Sequence, residues 1–229
     1  MNRLEILYED NHIIAVNKHS GDIVQSDSTG DKTLGDFVKE YIKEKYKKPG
    51  EVFLGVIHRI DRPVSGVVLF ARTSKGLARL NELFKTKEIT KTYWAVVKNK
   101  PNHDQATLIH YHMKDEKVRK AKLFPKEIPG SKKAELSYKL LASSDNYHLL
   151  EIQLETGRFH QIRAQLSKSG FPIKGDIKYG FERPNENSRS IHLHARKIEF
   201  IHPVKNEKIK IIAPVPDDVI WKYFEEHMK

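Results

Sequence analysis

Nine residues in the first third of the chain constrain its fold most: His58-Arg59-Ile60-Asp61-Arg62-Pro63-Val64-Ser65-Gly66. An acid stands between two arginines, and apolar runs flank the group. Val52, Phe53, Leu54, Val56 and Ile57 precede it, and Val67, Val68, Leu69, Phe70 and Ala71 follow it. Short apolar runs of this kind read as buried strands. A charged loop between two buried strands is held rigidly, and a rigid loop can aim an ionisable group. Each arginine stabilises the charged form of Asp61, and a fixed carboxylate can attack carbon or take a proton. An ordinary surface ion pair has the same sequence and contributes little. On these nine residues alone, ion pair and active site are both open.

Around this knot the chain alternates irregularly between strand and helix patterns. Strands are predicted over Leu4–Tyr8, His12–Val16, Thr90–Val97, Ala106–His112, Glu135–Ala142, Tyr147–Leu154, His192–Ile201 and Lys208–Ile212. A helix starts at Thr33 with Leu34, Phe37, Val38, Tyr41 and Ile42 on one face, after a Ser/Thr/Gly/Asp loop over Asp27–Lys32. A second is capped by Ser74 and buries Leu77, Leu80, Leu83 and Phe84. A third of about three turns follows Thr156-Gly157-Arg158 and buries Ile162 and Leu166. A closing helix over Asp217–His227 turns Ile220, Phe224 and Trp221 inward. Glu116–Lys133 reads as an exposed basic excursion. Strands outnumber helices without regular alternation, so the expected class is α+β, with a central mixed, mostly antiparallel sheet flanked by helices and loops. No repeat or linker divides the chain, and one domain over residues 1–229 is expected.

Charge narrows the partner. Lys and Arg number 41 against 30 Asp and Glu, a net charge of +11. Between Lys85 and Lys133 thirteen basic residues face five acidic ones, so this stretch alone holds +8. Such clustering favours a polyanion. There is no cysteine, which excludes disulfides, thiolate metal sites and cysteine nucleophiles together. The N-terminus carries Glu5, Glu9 and Asp10 and does not read as a signal peptide. No apolar run reaches the roughly 20 residues that span a bilayer. A cytoplasmic protein, off the membrane and monomeric, is expected.

Three further constellations carry chemistry. Glu155-Thr156-Gly157-Arg158-Phe159-His160-Gln161-Ile162-Arg163 crowds donors toward a helix start, an end that favours anions. Lys91-Thr92-Tyr93-Trp94 sets a cation and an aromatic ring on one strand face. Gly175-Asp176-Ile177-Lys178-Tyr179-Gly180 is a glycine-bracketed loop that by itself reads as a turn. His110 with His112, and His192 with His194, share strand faces, yet no thiolate or spaced carboxylate completes a ligand set, so no metal is expected. The absence of Gly-rich and Walker patterns argues against a nucleotide cofactor.

Taken in order, these four motifs resemble the RluA family of pseudouridine synthases over about Ile6 to Pro216. The resemblance implies an isomerase that converts uridine to pseudouridine in ribosomal or transfer RNA, on the pseudouridine synthase catalytic fold, without cofactor or metal. It makes Asp61 the essential carboxylate, packs Tyr93 against the target uracil, and gives Arg163 the task of keeping Asp61 ionised and aimed. Arg59 would fill the space of the extruded nucleotide, since chemistry on a structured base requires extrusion. RNA contacts are expected from Arg59, Arg62, Lys91, Arg158, His160, Gln161 and the basic Lys117, Arg119, Lys120 and Lys122.

Three departures stand out. His19 occupies a position where proline is usual. Val64 stands where threonine is frequent. Strands begin at once, which leaves no room for the N-terminal S4 domain of many relatives. Two competing readings remain at this level. One is a non-catalytic RNA-binding or ribosome-assembly module on the same fold. The other is an N-glycosidase using Asp61 with Glu155, which would release free uracil.

Overall fold

The computed structural model describes residues 4–26, 30–186 and 190–228; residues 27–29 of the expected Asp27–Lys32 loop lie outside them. In chain order the elements are β1 (Glu5–Glu9), β2 (Ile13–Lys18), α1 (Leu34–Lys45), β3 (Gly55–Val56), β4 (Ser65–Ala71), α2 (Ser74–Lys85), β5 (Thr90–Val97), β6 (Gln105–Asp115), β7 (Lys120–Phe124), β8 (Lys132–Ser143), β9 (His148–Leu154), α3 (Gln161–Lys168), a 3-10 turn (Ile177–Tyr179), β10 (Leu193–Ile201), β11 (Lys208–Ile212) and α4 (Val219–His227). The α+β expectation holds, with mostly antiparallel strand pairs. Two compact units form: one from residues up to Lys91 with Ala195–Pro216, the other from Thr92–His194 with residues from Asp217 onward.

The first unit orders its strands β1-β2-β4-β10, with β3 on β4 and β11 on β10. β2 and β4 are buried along their whole lengths, as continuous apolar runs demand. Their antiparallel register sets Val16 opposite Val68 and Lys18 opposite Gly66. The core joins Ile13, Ala15, Leu69 and Leu80 to Ile198, Phe200, Ile209 and Ile211. Thr33 caps α1 reciprocally: its hydroxyl accepts from the Asp36 N–H at 3.1 Å while its own N–H donates to the Asp36 carboxylate at 2.9 Å. Thr73, not Ser74, caps α2, accepting from the Gly76 N–H at 3.0 Å. The apolar run before the knot yields only the two-residue β3, and Phe53 stays 47% exposed. Hydrophobicity alone overstated that strand.

The second unit orders its strands β5-β9-β8-β6-β7. Here the excursion expected over Glu116–Lys133 is ordered structure. β7 pairs antiparallel with β6, setting Tyr111 opposite Phe124, and Ala121 and Leu123 turn toward Ala164 and Tyr179. Two inward apolar side chains with period two suffice for a strand that its lysines masked. α3 runs for only eight residues and is buried from Gln161 to Leu166, not merely at Ile162 and Leu166. On α4 the buried residues are Trp221 and Phe224, while Ile220 is half-buried. Trp221 stacks on His192, whose Nε2 lies 3.0 Å from the helix-capping Asp218 carboxylate.

The last residue of the knot tolerates no side chain. Gly66 has φ +114°, and a Cβ there would lie 2.6 Å from the Ala195 N of β10. Gly66→Ala is expected to destabilise the protein by about 4 kcal/mol, from left-handed strain and overpacking together; equilibrium urea unfolding measures it.

Candidate active site and RNA interface

Asp61 occupies the turn between β3 and β4, where its carbonyl accepts from the Val64 N–H at 3.0 Å. The turn is fastened from below by Lys18, fully buried at the end of β2. The Lys18 ammonium donates to the carbonyls of His19 (2.9 Å), Arg62 (3.1 Å) and Val64 (2.6 Å). Burial pushes its pKa down to about 7, with Arg62 adding to the fall and the Asp22 and Asp61 carboxylates opposing it. Ser20 donates to the Pro63 carbonyl at 3.1 Å, and the Gly21 N–H to the Arg62 carbonyl at 2.8 Å. Val64 is itself buried. None of the four sequence motifs includes Lys18. The signal for its role was a lysine directly ending an unbroken apolar strand, a place where a charge must find internal partners.

The two arginines beside Asp61 diverge. Arg59 is exposed, with one long contact to the Gln25 amide at 3.5 Å. Arg62 turns back, its Nε donating to the Gly21 carbonyl at 3.1 Å and its Nη2 pairing with Asp31 at 2.8 Å. His58 anchors the preceding residue. Its Nε2 accepts from the Leu69 N–H at 3.0 Å and its ring stacks on Phe84. Burial, helped by the Lys91 ammonium, lowers its pKa to about 3, so the ring is neutral and acts as a strut. The Lys91 ammonium lies 5.5 Å from the Phe84 ring centre.

In the second unit Tyr93 is buried on β5 opposite Ile152 of β9. Arg163, 5% exposed, grips Asp176 with both ends of a fork: Nε to Oδ2 at 2.7 Å and Nη2 to Oδ1 at 2.8 Å. Such bidentate pairs fix the guanidinium plane. Asp176 lies in the glycine-bracketed loop, which is therefore more than a turn. Gly175 at φ +84° lets that loop pass Asn185, whose side chain a Cβ would meet at 2.6 Å. Gln161 points inward: its oxygen accepts from the Arg158 N–H at 2.9 Å and the Thr156 hydroxyl at 2.8 Å, and its nitrogen donates to the Glu135 carbonyl at 3.0 Å. The Arg158 side chain donates to the Lys133 carbonyl at 3.0 Å. His160 takes a left-handed conformation just ahead of α3, stacked on Phe159, with Nδ1 3.0 Å from the Tyr179 hydroxyl.

The basic hairpin joining β6 and β7 divides its charges. The Asp115 carboxylate accepts from the Lys117 N–H at 3.0 Å and pairs with Lys122 at 2.8 Å. The Lys120 ammonium lies 5.2 Å from the Tyr179 ring centre, and Arg119 is exposed at the turn. No helix among the described residues is long and apolar enough to cross a membrane.

A carboxylate thus sits on a turn clamped by a buried ammonium, and a cationic hairpin lies in the same chain. Comparison with known proteins supplies its class. A family model for RNA pseudouridylate synthase matches residues 12–168. An uncharacterized RNA pseudouridine synthase of Synechocystis sp. is 34% identical over 93% of this chain and 66% of its own length. The tRNA pseudouridine synthase C of Vibrio cholerae is 31% identical over 96% of this chain and 93% of its own. The structure of human RNA pseudouridylate synthase domain containing 4 superposes with a TM-score of 0.77 over 98% of this chain and 92% of that one, at 23% identity, a likeness of fold. The chain belongs to the RNA pseudouridylate synthase family.

Replacing the buried lysine tests the clamp. Lys18→Met removes the ammonium from the Val64 carbonyl and from the Arg62 carbonyl, which keeps the Gly21 N–H, and turnover is expected to fall about tenfold or more with RNA affinity unchanged. The same variant has a pH signature. The folded pKa near 7 lies below the unfolded value of 10.5, so the unfolded chain binds the extra proton between the two. This group therefore makes stability rise as pH climbs from about 7 toward 10. Urea midpoints of the wild type should show that rise, and those of Lys18→Met should lack it.

Proposed function

We propose that this protein converts uridine to pseudouridine in RNA with Asp61 as the catalytic carboxylate. The reaction breaks the bond from C1′ of the ribose to N1 of uracil and makes one from C1′ to C5. One proton leaves C5 and one ends on N1, so the RNA keeps its mass. Attack on the ribose, attack on the base, and a glycal route all need a carboxylate that is held and aimed. The observation that carries the reading is the clamp on the Asp61 turn, where one buried ammonium and the Ser20 hydroxyl hold backbone carbonyls at Arg62, Pro63 and Val64. That is more rigidity than a surface ion pair needs.

Further roles follow from the family motifs. Tyr93 supplies an aromatic face for the uracil, and Arg163 is the basic member of the catalytic set. Arg59, exposed and loosely held, enters the RNA where the target nucleotide leaves the stack. The family match over residues 12–168 runs through both compact units, which supports a single catalytic domain working in the cytoplasm. Transfer RNA is the substrate class favoured, because the Vibrio relative whose length this chain nearly fills is named for tRNA. Lys91, Arg158 and the β6–β7 hairpin contribute to docking.

Release of tritium from RNA labelled at C5 of uridine measures turnover. The wild type should release it from unmodified transfer RNA transcripts, and Asp61→Asn should release none while still binding the RNA. Full turnover by Asp61→Asn would sink the proposal. Release from large-subunit ribosomal RNA alone would reassign the substrate. Free uracil in the supernatant would point to a glycosidase.

A further inference from the structure

Basic side chains from two separate segments of the second unit converge on one buried ring. Tyr179 ends the 3-10 turn Ile177–Tyr179, and its hydroxyl accepts from the Ala121 N–H of β7 at 2.7 Å. That bond ties the glycine-bracketed loop to the start of the basic hairpin. Lys120 and Arg163 lie over the Tyr179 ring, 5.2 Å and 5.1 Å from its centre. Lys178, the residue before Tyr179, is exposed, and so is Arg119 on the hairpin side.

These cations are not neutralised equally. Arg163 has the Asp176 fork. Among the described residues Arg119, Lys120 and Lys178 have no carboxylate within ion-pair distance. Burial lowers the Lys178 pKa first, and Arg163, Arg119 and Lys120 lower it further, with Asp176 opposing them. Like charges crowded on a rigid base are unfavourable unless an anion shares the space. Apolar residues flank the group: Val118 is 60% exposed and Ile177 59%. Cations with exposed apolar side chains between them suit a nucleic acid strand, which offers phosphate to the first and sugar or base to the second.

We infer that Arg119, Lys120 and Lys178, set around Tyr179, form a subsite for a backbone phosphate of the RNA substrate. The inference rests on the RNA reading above and narrows it in two ways. It adds Lys178 from the glycine-bracketed loop, and it withdraws Lys122, whose charge is matched by Asp115. Tyr179 is a positioning residue, since its hydroxyl and ring hold the two segments together.

The test measures binding of unmodified transfer RNA transcripts across a salt series. Lys178→Ala and Arg119→Ala should each weaken binding severalfold at low salt and lower the slope of log affinity against log salt by about 0.7–0.9, the share of one phosphate. Lys222→Ala, which removes the same charge from α4 where Lys222 pairs with Asp217, should leave the slope unchanged. A second measurement needs no RNA. At low salt Lys178→Met should raise the melting temperature, because it relieves repulsion, and added inorganic polyphosphate should close the gap. An unchanged slope in both Lys178→Ala and Arg119→Ala, or a lowered melting temperature in Lys178→Met, overturns the subsite. Wild-type tritium release read alongside separates the two proposals. Turnover with unchanged slopes removes the subsite alone, and altered slopes without turnover remove the catalytic reading alone.

Discussion

The buried ammonium of Lys18 is the contact on which the rest of the first unit depends. Placing an amine at the end of a wholly buried strand costs free energy unless its donors are used. Three backbone carbonyls use them, at 2.6–3.1 Å. Two of those carbonyls belong to the knot, so the cost of burying the lysine is also what fixes the turn around Asp61. His58 bonding to the Leu69 N–H and Arg62 bonding to the Gly21 carbonyl complete the frame. Each clamps backbone to side chain and so holds the turn that carries Asp61.

The second unit reaches similar rigidity by a different route. Its buried charge is an arginine, and it is satisfied by a carboxylate rather than by carbonyls. The Arg163–Asp176 fork anchors the loop that carries Tyr179, and Tyr179 in turn anchors the hairpin that carries Arg119 and Lys120. Removing one partner of such a pair leaves an uncompensated buried charge, a far larger loss than deleting a surface contact.

Much of this was legible in the residues, and the failures have physical reasons. Unbroken apolar runs marked β4 and β5, and the helical repeat of apolar positions marked α1. Periodicity missed β7, because Lys120 and Lys122 outweigh Ala121 and Leu123 in any average of polarity. It stretched β3, because Phe53 is hydrophobic yet exposed. Asp61, Tyr93 and Arg163 stood out through their motifs. Lys18 and Asp176 did not, since each matters through partners distant in sequence: Val64 for the first and Arg163 for the second. Gln161 was expected among the RNA contacts, but its amide is engaged with Thr156, Arg158 and Glu135.

The discontinuity of the first unit bears on how the chain matures on the ribosome. Its strands β1 to β4 emerge early, but β10 and β11 belong to Ala195–Pro216 and emerge only after more than a hundred intervening residues. Until then the edge of β4 that β10 covers stays open, and the apolar faces that meet Ile198 and Phe200 lack their cover. An apolar strand with an open edge invites pairing with a second nascent chain. The second unit, nearly continuous from Thr92 to His194, has most of its strands in hand before that edge can close. Slow translation through the middle of the message therefore lengthens the exposure of the first half while doing little to the second.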